Sequence, residues 1–545
     1  MKTLKTEVVI VGAGAGGGVV ACELAEAGVQ VLLLERGKHQ NFHDHDNDEL
    51  YSQRTTVLGN AYGPDNQRYR RIVEHADGST RTVLPNDGSY HNVAACVGGG
   101  TLSYGAMAWR FMPEDFRMKS TYGELEGSTL EDWPISYEDI EPYYTRAEWE
   151  IGVAGDDEHN PFAPSRSKPY PMPAFPYNQE GRLIEQTTQA MGLHPFPIPM
   201  LRNSIAYGGR PACIHMRTCV GFACPTGAKG GTQNTVIPRA IASGNCDLRT
   251  ACKVSKVLLN AQGLATGVEY FDAEDQPVRV EAKRVVLAAS ATETARLLLN
   301  STHPLFPKGL GNNHDWVGRN LQGHAYSGAT GLFDEVVYDD MGPGATIALC
   351  DYNHGNPGII GGAMLANEFI RMPYLFTKVR PNGAKRWGKA HKDFQRQHFK
   401  RHISIKGPVQ EMPNFHARVR IDPRAKDHWG IPVLRISGQK HPEDLKTGQF
   451  IAEKAAEILK ACGARKVWLE PTGPWVSGGQ HQAGTCRMGN DPKTSVTNSY
   501  GQLHDIENLH IADGSLHVTN GGFNPALTIM ALGYRVAEHL KQQMV

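Results

Sequence analysis

The first forty residues alternate between apolar runs and a stretch of helical character. Residues 8–11 form a continuous β-branched run, which is typical of a parallel strand buried on both faces. A helical stretch extends to Ala27, and Gly28 is placed to cap its C-terminal end. A second apolar run at residues 31–34 predicts another strand. This order of strand, helix and strand predicts an α/β fold.

A glycine-rich turn joins the first strand to the helix. Gly12, Gly14 and Gly17 have the spacing G-x-G-x-x-G, and Glu35 follows the second strand. Gly12 permits the tight turn, Gly14 lets the backbone approach a pyrophosphate, and Gly17 lets helix and strand pack closely. The helix N-terminus offers N–H groups to the phosphates, and Glu35 would accept hydrogen bonds from the adenosine ribose. The segment predicts a Rossmann-like dinucleotide site and does not by itself separate FAD from NAD.

Strand-like and helical patterns return later in the chain. Residues 417–421 and 431–436 are strand-like and are joined by a polar turn that contains Asp-Pro. A helical stretch follows over 441–464. Near the C-terminal end, a short strand stops at a carboxylate and a glycine, and a helix is predicted over 526–540. Pro525 precedes that helix, as suits the first turn of a helix.

Length and composition limit the classes of protein that this chain can be. At 545 residues it exceeds one ordinary hydrophobic core, so we expect two domains, which can be interleaved. The chain is 40% apolar and 21% charged, as in a globular enzyme. Its formal net charge is zero, so no global field favours nucleic acid or an anionic membrane.

Targeting signals are not recognisable in the sequence. There is no secretory signal peptide, no twin-arginine motif and no apolar run that reaches the length of a membrane span. We therefore expect a cytoplasmic protein without direct membrane insertion. Export to the periplasm would require a small partner subunit that carries the signal.

Several long segments resemble the glucose–methanol–choline (GMC) oxidoreductases. Residues 97–111 resemble the loop that covers the flavin in that family, and 285–298 resemble its central strand–turn–helix. Residues 317–321 follow soon after, and 481–489 and 509–525 resemble the C-terminal signature. The resemblance is greatest to the bacterial sugar and polyol branch, which includes enzymes similar to pyranose and glycoside oxidases.

This resemblance implies that the cofactor is FAD. In relatives that attach the flavin to histidine, the attachment position corresponds to Ser103, whose hydroxyl cannot form that bond, so we expect non-covalent FAD. The positive end of the helix after Pro525 would face the flavin and stabilise the reduced ring. Beyond Gly12, Gly14, Gly17 and Glu35, the predicted cofactor contacts are Arg36, Gly98, Gly99, Gly100, Thr101, Ser103, Tyr104, Gly105, Val254, Asp513, Gly514, Asn524, Pro525 and Thr528.

His481 and Asn524 occupy the positions of the family's reacting pair. Hydride leaves a C–H bond readily only when the adjacent hydroxyl loses its proton, and an imidazole suits that task near neutral pH. Asn524 does not titrate, so it can only position the hydroxyl and support the developing oxyanion. His481 is therefore the predicted base, and His517, close in sequence, is the competing candidate.

Three clustered cysteines leave two interpretations open. Cys213, Cys219 and Cys224 could ligate an iron–sulfur cluster, because thiolates are the ligands that such clusters require. A related glucose dehydrogenase branch carries a cluster in this region, but with closer cysteine spacing. We favour a structural loop and assign no metal site.

The motif positions imply a discontinuous FAD-binding domain. We assign it residues 1–40, 90–115, 205–330 and 465–545. The inserted α+β substrate domain, an antiparallel sheet backed by helices, takes 116–204 and 331–464. Residues 41–89 are a polar excursion over the cofactor.

The leading hypothesis is FAD-dependent oxidation of a secondary or anomeric hydroxyl of a sugar or glycoside. Oxidation at C3 of a glycoside is one form of it. One alternative is the catalytic subunit of a membrane-linked polyol or sugar-acid dehydrogenase complex. Another is a flavin-binding sensor without turnover, against which the intact His481/Asn524 pair argues. The electron acceptor, whether dioxygen, a quinone or a cytochrome, is left open.

Overall fold

The computed structural model describes residues 1–45, 48–51, 61–369, 371–476 and 480–544. Its strands are β1 (Lys2–Val11), β2 (Val31–Leu34), β3 (Arg71–Glu74), β4 (Thr80–Val83), β5 (Ala154–Gly155), β6 (Met172–Pro173), β7 (Phe196–Pro197), β8 (Cys246–Arg249), β9 (Lys253–Leu259), β10 (Ala265–Phe271), β11 (Pro277–Leu287), β12 (Ala325–Leu332), β13 (Ile347–Leu349), β14 (Leu365–Asn367), β15 (His402–Val409), β16 (Arg418–Lys426), β17 (Pro432–Ser437), β18 (Lys466–Glu470), β19 (Gln502–Leu503) and β20 (Ile506–Ile511).

The α-helices are α1 (Ala15–Glu26), α2 (Met118–Tyr122), α3 (Tyr137–Ala147), α4 (Gln179–Ala190), α5 (Val236–Ala242), α6 (Ala291–Asn300), α7 (Pro373–Phe376), α8 (Gly388–His398), α9 (Pro442–Ala461) and α10 (Ala526–Met544). Within the described residues, no helix is both long enough and apolar enough to cross a membrane.

The central sheet has the strand order β19-β20-β11-β1-β2-β8, and β10 joins β11 to β9. β1 lies between β2 and β11, parallel to both, so that Val9 faces Leu32 on one side and Val285 on the other. The four apolar residues at the end of β1 are buried, because α1 and its neighbours α5 and α10 cover the sheet. The N-terminal turn is thereby joined to strands more than 250 residues away.

A second sheet has the order β18-β12-β15-β14-β13-β7, with antiparallel pairing throughout. The long helix α9 packs against β12, β15 and β18. Two of these strands come from stretches that the sequence assigned to the FAD-binding domain, namely β12 and β18. Both strands hydrogen-bond within the second sheet, and the division of the chain into domains stays a prediction.

A smaller sheet has the order β16-β17-β3-β4. Its strands β16 and β17 correspond to the predicted strands at 417–421 and 431–436. The predicted excursion contributes the other two strands, and β3 pairs with β17 in parallel. Arg71 at the start of β3 donates to Glu293 of α6 at 2.6 Å. Residues 71–83 are thus built into this sheet, and the position of the excursion over the cofactor stays a prediction.

Candidate active site

A cavity of about 730 Å³ extends from the turn after β1 to the second sheet, within the usual size range of ligand sites. Loop and strand ends from both parts of the molecule line it. Of the predicted site residues, its lining contains Gly12, Gly14, Glu35, Arg36, Gly99, Gly100, Thr101, Ser103, Tyr104, Gly105, Val254, His481, Asp513, Gly514, Asn524 and Pro525.

The three glycines of the first turn have different roles. A Cβ on Gly12 would lie 2.3 Å from the Ala288 carbonyl oxygen, and one on Gly17 would lie 2.0 Å from the Gly12 carbonyl oxygen. Both positions are closed by backbone, and Gly17 holds α1 against the strand without lining the cavity. A Cβ on Gly14 would meet nothing within 4 Å. Its open side belongs to the cavity, where a phosphate would approach the backbone.

Glu35 lies at the end of β2, beside this turn. The backbone N–H groups of Ala13 and Gly37 donate to its two carboxylate oxygens at 3.0 and 2.9 Å. Burial raises the pKa of the carboxyl. Arg36 lies next to it, with its guanidinium 3.6 Å from Glu293. The two backbone bonds hold an acceptor at the cavity wall, where a ribose would need it.

The loop at 98–105 is stabilised by its own hydrogen bonds. Thr101 Oγ1 donates to the Gly98 carbonyl at 2.7 Å, and Tyr104 OH donates to the Gly230 carbonyl at 2.6 Å. Gly98 does not line the cavity, and a Cβ there would lie 2.4 Å from Gln233 Oε1. Ser103 is buried at the cavity wall. The loop thus supplies a rigid wall over the cofactor position.

The C-terminal segment closes the cavity from the other side. Asp513 accepts hydrogen bonds from Ser515 N at 2.9 Å, from Ser515 Oγ at 2.6 Å and from Thr294 Oγ1 at 2.6 Å. Thr528 is placed differently from the prediction. Its hydroxyl is hydrogen-bonded to Tyr144 at 2.8 Å and does not line the cavity, because α10 turns that side toward α3.

His481 lies in a left-handed backbone conformation, with φ of 63°. The side chain of Asn520 donates to its carbonyl at 2.8 Å and supports that conformation. His481 Nδ1 lies 2.9 Å from His324 Nδ1, and His324 Nε2 lies 2.8 Å from the Gly521 carbonyl. Burial lowers the pKa of His324 to about 4. Burial and the neighbouring His324 also lower the pKa of His481 well below its usual value.

The bonding partners fix the tautomers of both imidazoles. A carbonyl can only accept, so His324 Nε2 carries the proton and donates to Gly521. The neutral ring then has an acceptor at Nδ1, to which His481 Nδ1 donates. His481 is therefore left with an unprotonated Nε2, the atom required of a general base.

Asn524 lies just before α10 and lines the same cavity as His481. Its Nδ2 donates to the Tyr326 hydroxyl at 2.8 Å. Its Oδ1 is buried and has no hydrogen-bond partner among the described residues. A buried unpaired acceptor is costly, and a donor group on a bound ligand would relieve that cost. The amide is thus suited to hold a hydroxyl.

His517, the competing base, lies outside the cavity lining. It is fully buried, its Nδ1 is 3.0 Å from Asn520 Oδ1, and its ring packs against Phe111 and Trp133. Burial lowers its pKa to about 4. His517 therefore supports Asn520, which in turn holds the backbone of His481.

Several residues at the substrate end of the cavity stand outside the recognised sequence motifs. His324 and Tyr326 lie three and five residues after the motif at 317–321, and their i, i+2 spacing at the start of β12 is the signal that could have identified them. No local pattern indicates the remaining ones, which come from the second sheet. These are Glu368, Phe369 and Lys406.

The three clustered cysteines are free thiols, and each is partly exposed. Among the described residues, no group of three His, Cys, Asp or Glu is arranged to hold a metal ion. Lys229 organises the loop instead: its Nζ donates to the carbonyls of Cys219 and Phe222 at 2.9 and 2.8 Å. The loop is therefore held together by a buried ammonium group.

The cavity residues fit FAD. The open side of Gly14 and the helix N-terminus behind it suit a pyrophosphate, Glu35 suits a ribose, and the unpaired Asn524 Oδ1 lies at the opposite end. The volume suits a cofactor that is largely buried.

Comparisons with known proteins agree with this geometry. Models described as GMC oxidoreductase match residues 177–326 and 413–533, and one described as FAD binding domain matches residues 5–64. The chain is 31% identical to a 2-methyl-1,2-propanediol dehydrogenase of Mycolicibacterium austroafricanum, covering 99% of this chain and 96% of the relative. It is 29% identical to the 6'''-hydroxyparomomycin C oxidase of Streptomyces lividus, covering 98% and 92%.

The same fold occurs in solved structures. The pyridoxine 4-oxidase from Mesorbium loti superimposes with a TM-score of 0.62 at 16% identity, covering 98% of this chain and 99% of that one. This likeness concerns the fold alone. Together, the comparisons confirm the predicted family, the predicted fold class and FAD as the cofactor. The chain belongs to the GMC oxidoreductases, as an FAD-dependent enzyme that acts on CH–OH donors.

Proposed function

We propose that the enzyme oxidises a secondary or anomeric hydroxyl of a sugar or glycoside, with oxidation at C3 of a glycoside as one form. The observation that carries the oxidation of a hydroxyl is the fixed tautomer of His481, while the polar and aromatic cavity wall and the relatives support a sugar as the substrate. His481 Nε2 is the proton acceptor, because Nδ1 of the same ring carries the proton and donates to His324. His324 in turn donates to the Gly521 carbonyl. Bound FAD supplies the acceptor for the hydride.

The chain's own residues act on the substrate hydroxyl. His481 Nε2 takes the hydroxyl proton, so that the carbon can release hydride. As it stands in the structure, the unpaired Asn524 Oδ1 can accept from a neighbouring hydroxyl of the substrate, because the reacting hydroxyl gives its only proton to His481. A 180° rotation of the amide, with the Tyr326 hydroxyl donating to Oδ1, would present an N–H group to the oxyanion. Asn524 can therefore orient the substrate as it stands, and it can stabilise the oxyanion when Tyr326 donates to its Oδ1.

The cofactor is held by groups that need no covalent bond. We propose that Gly12, Gly14 and the start of α1 bind the pyrophosphate and that Glu35 binds the adenosine ribose. Asp513 and the loop at 99–105 line the middle of the cavity. The positive end of α10 faces the cavity at Pro525 and would stabilise negative charge on the reduced cofactor.

The substrate end supports a polyhydroxylated ligand. Tyr326, Glu368 and Lys406 place polar groups on the cavity wall, and Phe369 adds an aromatic face. Polar groups beside an aromatic ring are suited to bind a sugar ring by hydrogen bonding and stacking. Among the relatives, the paromamine 6'-oxidase of Streptomyces fradiae, at 29% identity, is named for an amino sugar substrate.

A substrate panel tests the proposal. Purified holoenzyme would be assayed with sugars, glycosides and polyols, first with a dye acceptor and then with oxygen. We expect turnover with a pyranose or glycoside and a keto-sugar or lactone as product. Turnover confined to simple diols or polyols would overturn the assignment of a sugar substrate. The assay with oxygen in place of the dye distinguishes an oxidase from a dehydrogenase.

A second candidate is the flavoprotein subunit of a polyol or sugar-acid dehydrogenase complex. Two relatives favour it: the fructose dehydrogenase large subunit of Gluconobacter japonicus at 29% identity and the gluconate 2-dehydrogenase flavoprotein of Pantoea cypripedii at 27%. A small signal-bearing partner would then export the enzyme from the cytoplasm, where we otherwise place it. Co-purification of a tagged chain from its own cells would decide between an isolated enzyme and a complex.

A further inference from the structure

Positive charge is concentrated in one stretch of the chain. Residues 371–401, here called the basic lobe, contain ten Lys or Arg and one Asp, although the whole chain has a formal net charge of zero. The remaining residues therefore carry an excess of nine negative charges. A net charge of zero for the whole molecule thus coexists with an excess of positive charge in this lobe, and a local excess of charge attracts surfaces of opposite sign.

Helix α8 displays part of this charge on one side. Lys389, Lys392 and Arg396 follow the spacing i, i+3, i+7 and are all exposed, and Lys389 also forms an ion pair with Asp393 at 2.6 Å. The opposite side is covered within the lobe, where Phe394 stacks on Phe376 at 6.1 Å between ring centroids. The helix therefore has no apolar face left to bury, and its free surface is cationic.

Trp387 stands at the beginning of this helix. Its exposed fraction is 82%, the largest among the exposed large hydrophobic residues of the described chain. Lys385 and Arg386 precede it and are also exposed. A bare indole ring surrounded by cations is the combination that Trp and Lys or Arg form at membrane interfaces.

A second cavity, of about 370 Å³, opens beside this tryptophan's loop. Its lining includes Arg371, Arg380 and Arg386, and Ser404 Oγ accepts a hydrogen bond from Arg371 at 3.1 Å. Among the described residues, no carboxylate lies within 4 Å of any of these three guanidinium groups. Glu470 also lines the cavity; Lys406 forms an ion pair with it, and, despite partial burial, the charges of Lys406 and Arg371 lower its pKa, so that Arg380 and Arg386 are the cations left for an anion. The cavity is therefore suited to a phosphate-type anion.

We propose that the basic lobe docks the enzyme on a membrane surface that contains anionic phospholipids. A lipid phosphate enters the cavity of Arg371, Arg380 and Arg386, and Trp387 lies at the level of the headgroups. The Lys and Arg side chains around it contact the anionic surface. One aromatic anchor combined with a cationic patch is sufficient for reversible peripheral binding.

The composition of the surface favours lipid over an acidic protein. Most of the exposed cations are lysines, which are depleted at protein–protein interfaces. A single exposed tryptophan also offers little of the apolar core that a stable protein interface needs. An anionic bilayer needs neither shape complementarity nor a large apolar area.

Vesicle sedimentation with the FAD-loaded enzyme tests the proposal. We expect binding to vesicles of phosphatidylglycerol and phosphatidylcholine, weakening as salt is raised, and no binding to phosphatidylcholine alone. Brominated phosphatidylglycerol should quench a tryptophan signal that Trp387→Ala lacks. Inorganic phosphate and immobilised polyglutamate serve as the soluble-anion and acidic-polypeptide probes.

Variants distinguish vesicle binding by the basic lobe from binding by exposed cations elsewhere on the protein. Each Lys→Gln change should weaken vesicle binding about fivefold, so the combined Lys385, Lys389 and Lys392 variant should lose on the order of 100-fold. Trp387→Ala should lose roughly tenfold. The matched controls are Lys5, Lys308 and Lys493→Gln, which are also exposed, and Trp475→Ala. None of these changes should alter substrate oxidation in solution.

Three outcomes would overturn the proposal. The first is no sedimentation with anionic vesicles at low salt. The second is an equal loss of binding in the control variants. The third is stabilisation by inorganic phosphate, or retention on polyglutamate, without vesicle binding, since the lobe would then serve a soluble anion or an acidic protein.

Discussion

His324 presents its Nδ1 to the Nδ1 of His481 at 2.9 Å, while its Nε2 donates to the Gly521 carbonyl. A neutral imidazole has one donor and one acceptor nitrogen, so the direction of the hydrogen bond to Gly521 sets the direction of the bond between the two rings. The backbone carbonyl thus determines which nitrogen of His481 is free. His324 is a positioning residue, because it acts on the substrate only through His481.

Replacing His324 should distinguish the effect of its hydrogen bonds on His481 from the effect of its packing. In His324→Leu the proton of His481 is no longer held on Nδ1, so we expect flavin reduction to slow roughly 10- to 100-fold. His324→Gln retains one donor and one acceptor and should recover part of that rate. Stopped-flow reduction under nitrogen measures it, with FAD content as the check on folding. Equal rates in the Leu and Gln variants would show that the hydrogen bonds do not matter.

Removing the base itself should have a larger effect. His481→Ala should keep FAD bound and slow flavin reduction by roughly 10²–10⁴-fold. His517→Asn is the matched comparison and should change the rate only a few-fold, since His517 does not line the cavity. Near wild-type reduction in His481→Ala would place the base elsewhere.

The pH profile provides a second measurement of the same residue. Burial, with His324 nearby, lowers the pKa of His481, and the neutral imidazole is the reactive form. The reduction rate of the wild-type enzyme should therefore stay level as pH falls through 6.5 and decline only at lower pH. A midpoint at or above 6.5 would contradict the buried, neutral state of the pair.

Two neighbouring glycines should fail in different ways when changed to alanine. Gly14 has a negative φ and open space at its Cβ, so Gly14→Ala should fold normally and bind FAD roughly tenfold more weakly or worse. Gly17→Ala would place a methyl group 2.0 Å from the Gly12 carbonyl oxygen and should reduce the yield of folded protein. FAD titration and thermal unfolding measure the two effects. Similar losses of stability in both variants would contradict the assigned roles.

The flavin should leave the protein without a chemical step. Ser103 stands at the attachment position and provides no histidyl nitrogen. Acid or heat should therefore release all of the FAD into the supernatant. Yellow colour that remains with the precipitated protein would demonstrate a covalent bond.

His510 should make the fold sensitive to acid. It is buried in β20, both ring nitrogens lack partners among the described residues, and burial lowers its pKa to about 3. The unfolded chain takes up this proton below about pH 6.5, and the folded chain does not until about pH 3. The stability from neutral His510 is thus complete above pH 6.5 and decreases below it, by about 2 kcal/mol at pH 5.

His510→Leu should therefore narrow the difference in stability between pH 7.5 and pH 5. Denaturant unfolding at the two pH values measures it in wild type and variant. The comparison within each protein cancels the change in packing that the substitution brings. An unchanged pH difference would show that other groups cause the acid sensitivity.

The local parts of the fold could be predicted from the sequence. The strand–turn–helix–strand at 2–35 is encoded by adjacent apolar runs and glycines, and α9 begins at the predicted His441-Pro signal. The orientation of Thr528 away from the cavity and the pairing of β12 with the second sheet could not be predicted from the sequence. Thr528 is turned away from the cavity by the packing of α10 against α3, which no local pattern reports.

The same limit applies to the site. His481 stands in a long motif, but its partner His324 comes from a segment 157 residues earlier and meets it only after the sheets assemble. The basic lobe could not be identified from the net charge of the chain, for a different reason. Its excess charge cancels against the rest of the chain, so net charge alone excluded an anionic membrane as a partner of the whole molecule.

The interleaving of the central sheet has a consequence during synthesis. β1 emerges first, yet its neighbour β11 and the wall formed by Asp513 and Asn524 are translated much later. At roughly 5–20 residues per second, about 500 residues separate Gly12 from Asp513 by roughly 25–100 s. Through that interval the nascent chain has an unpaired apolar strand edge and no complete flavin cavity. Chaperone protection of that strand edge should then affect how much active enzyme a cell accumulates.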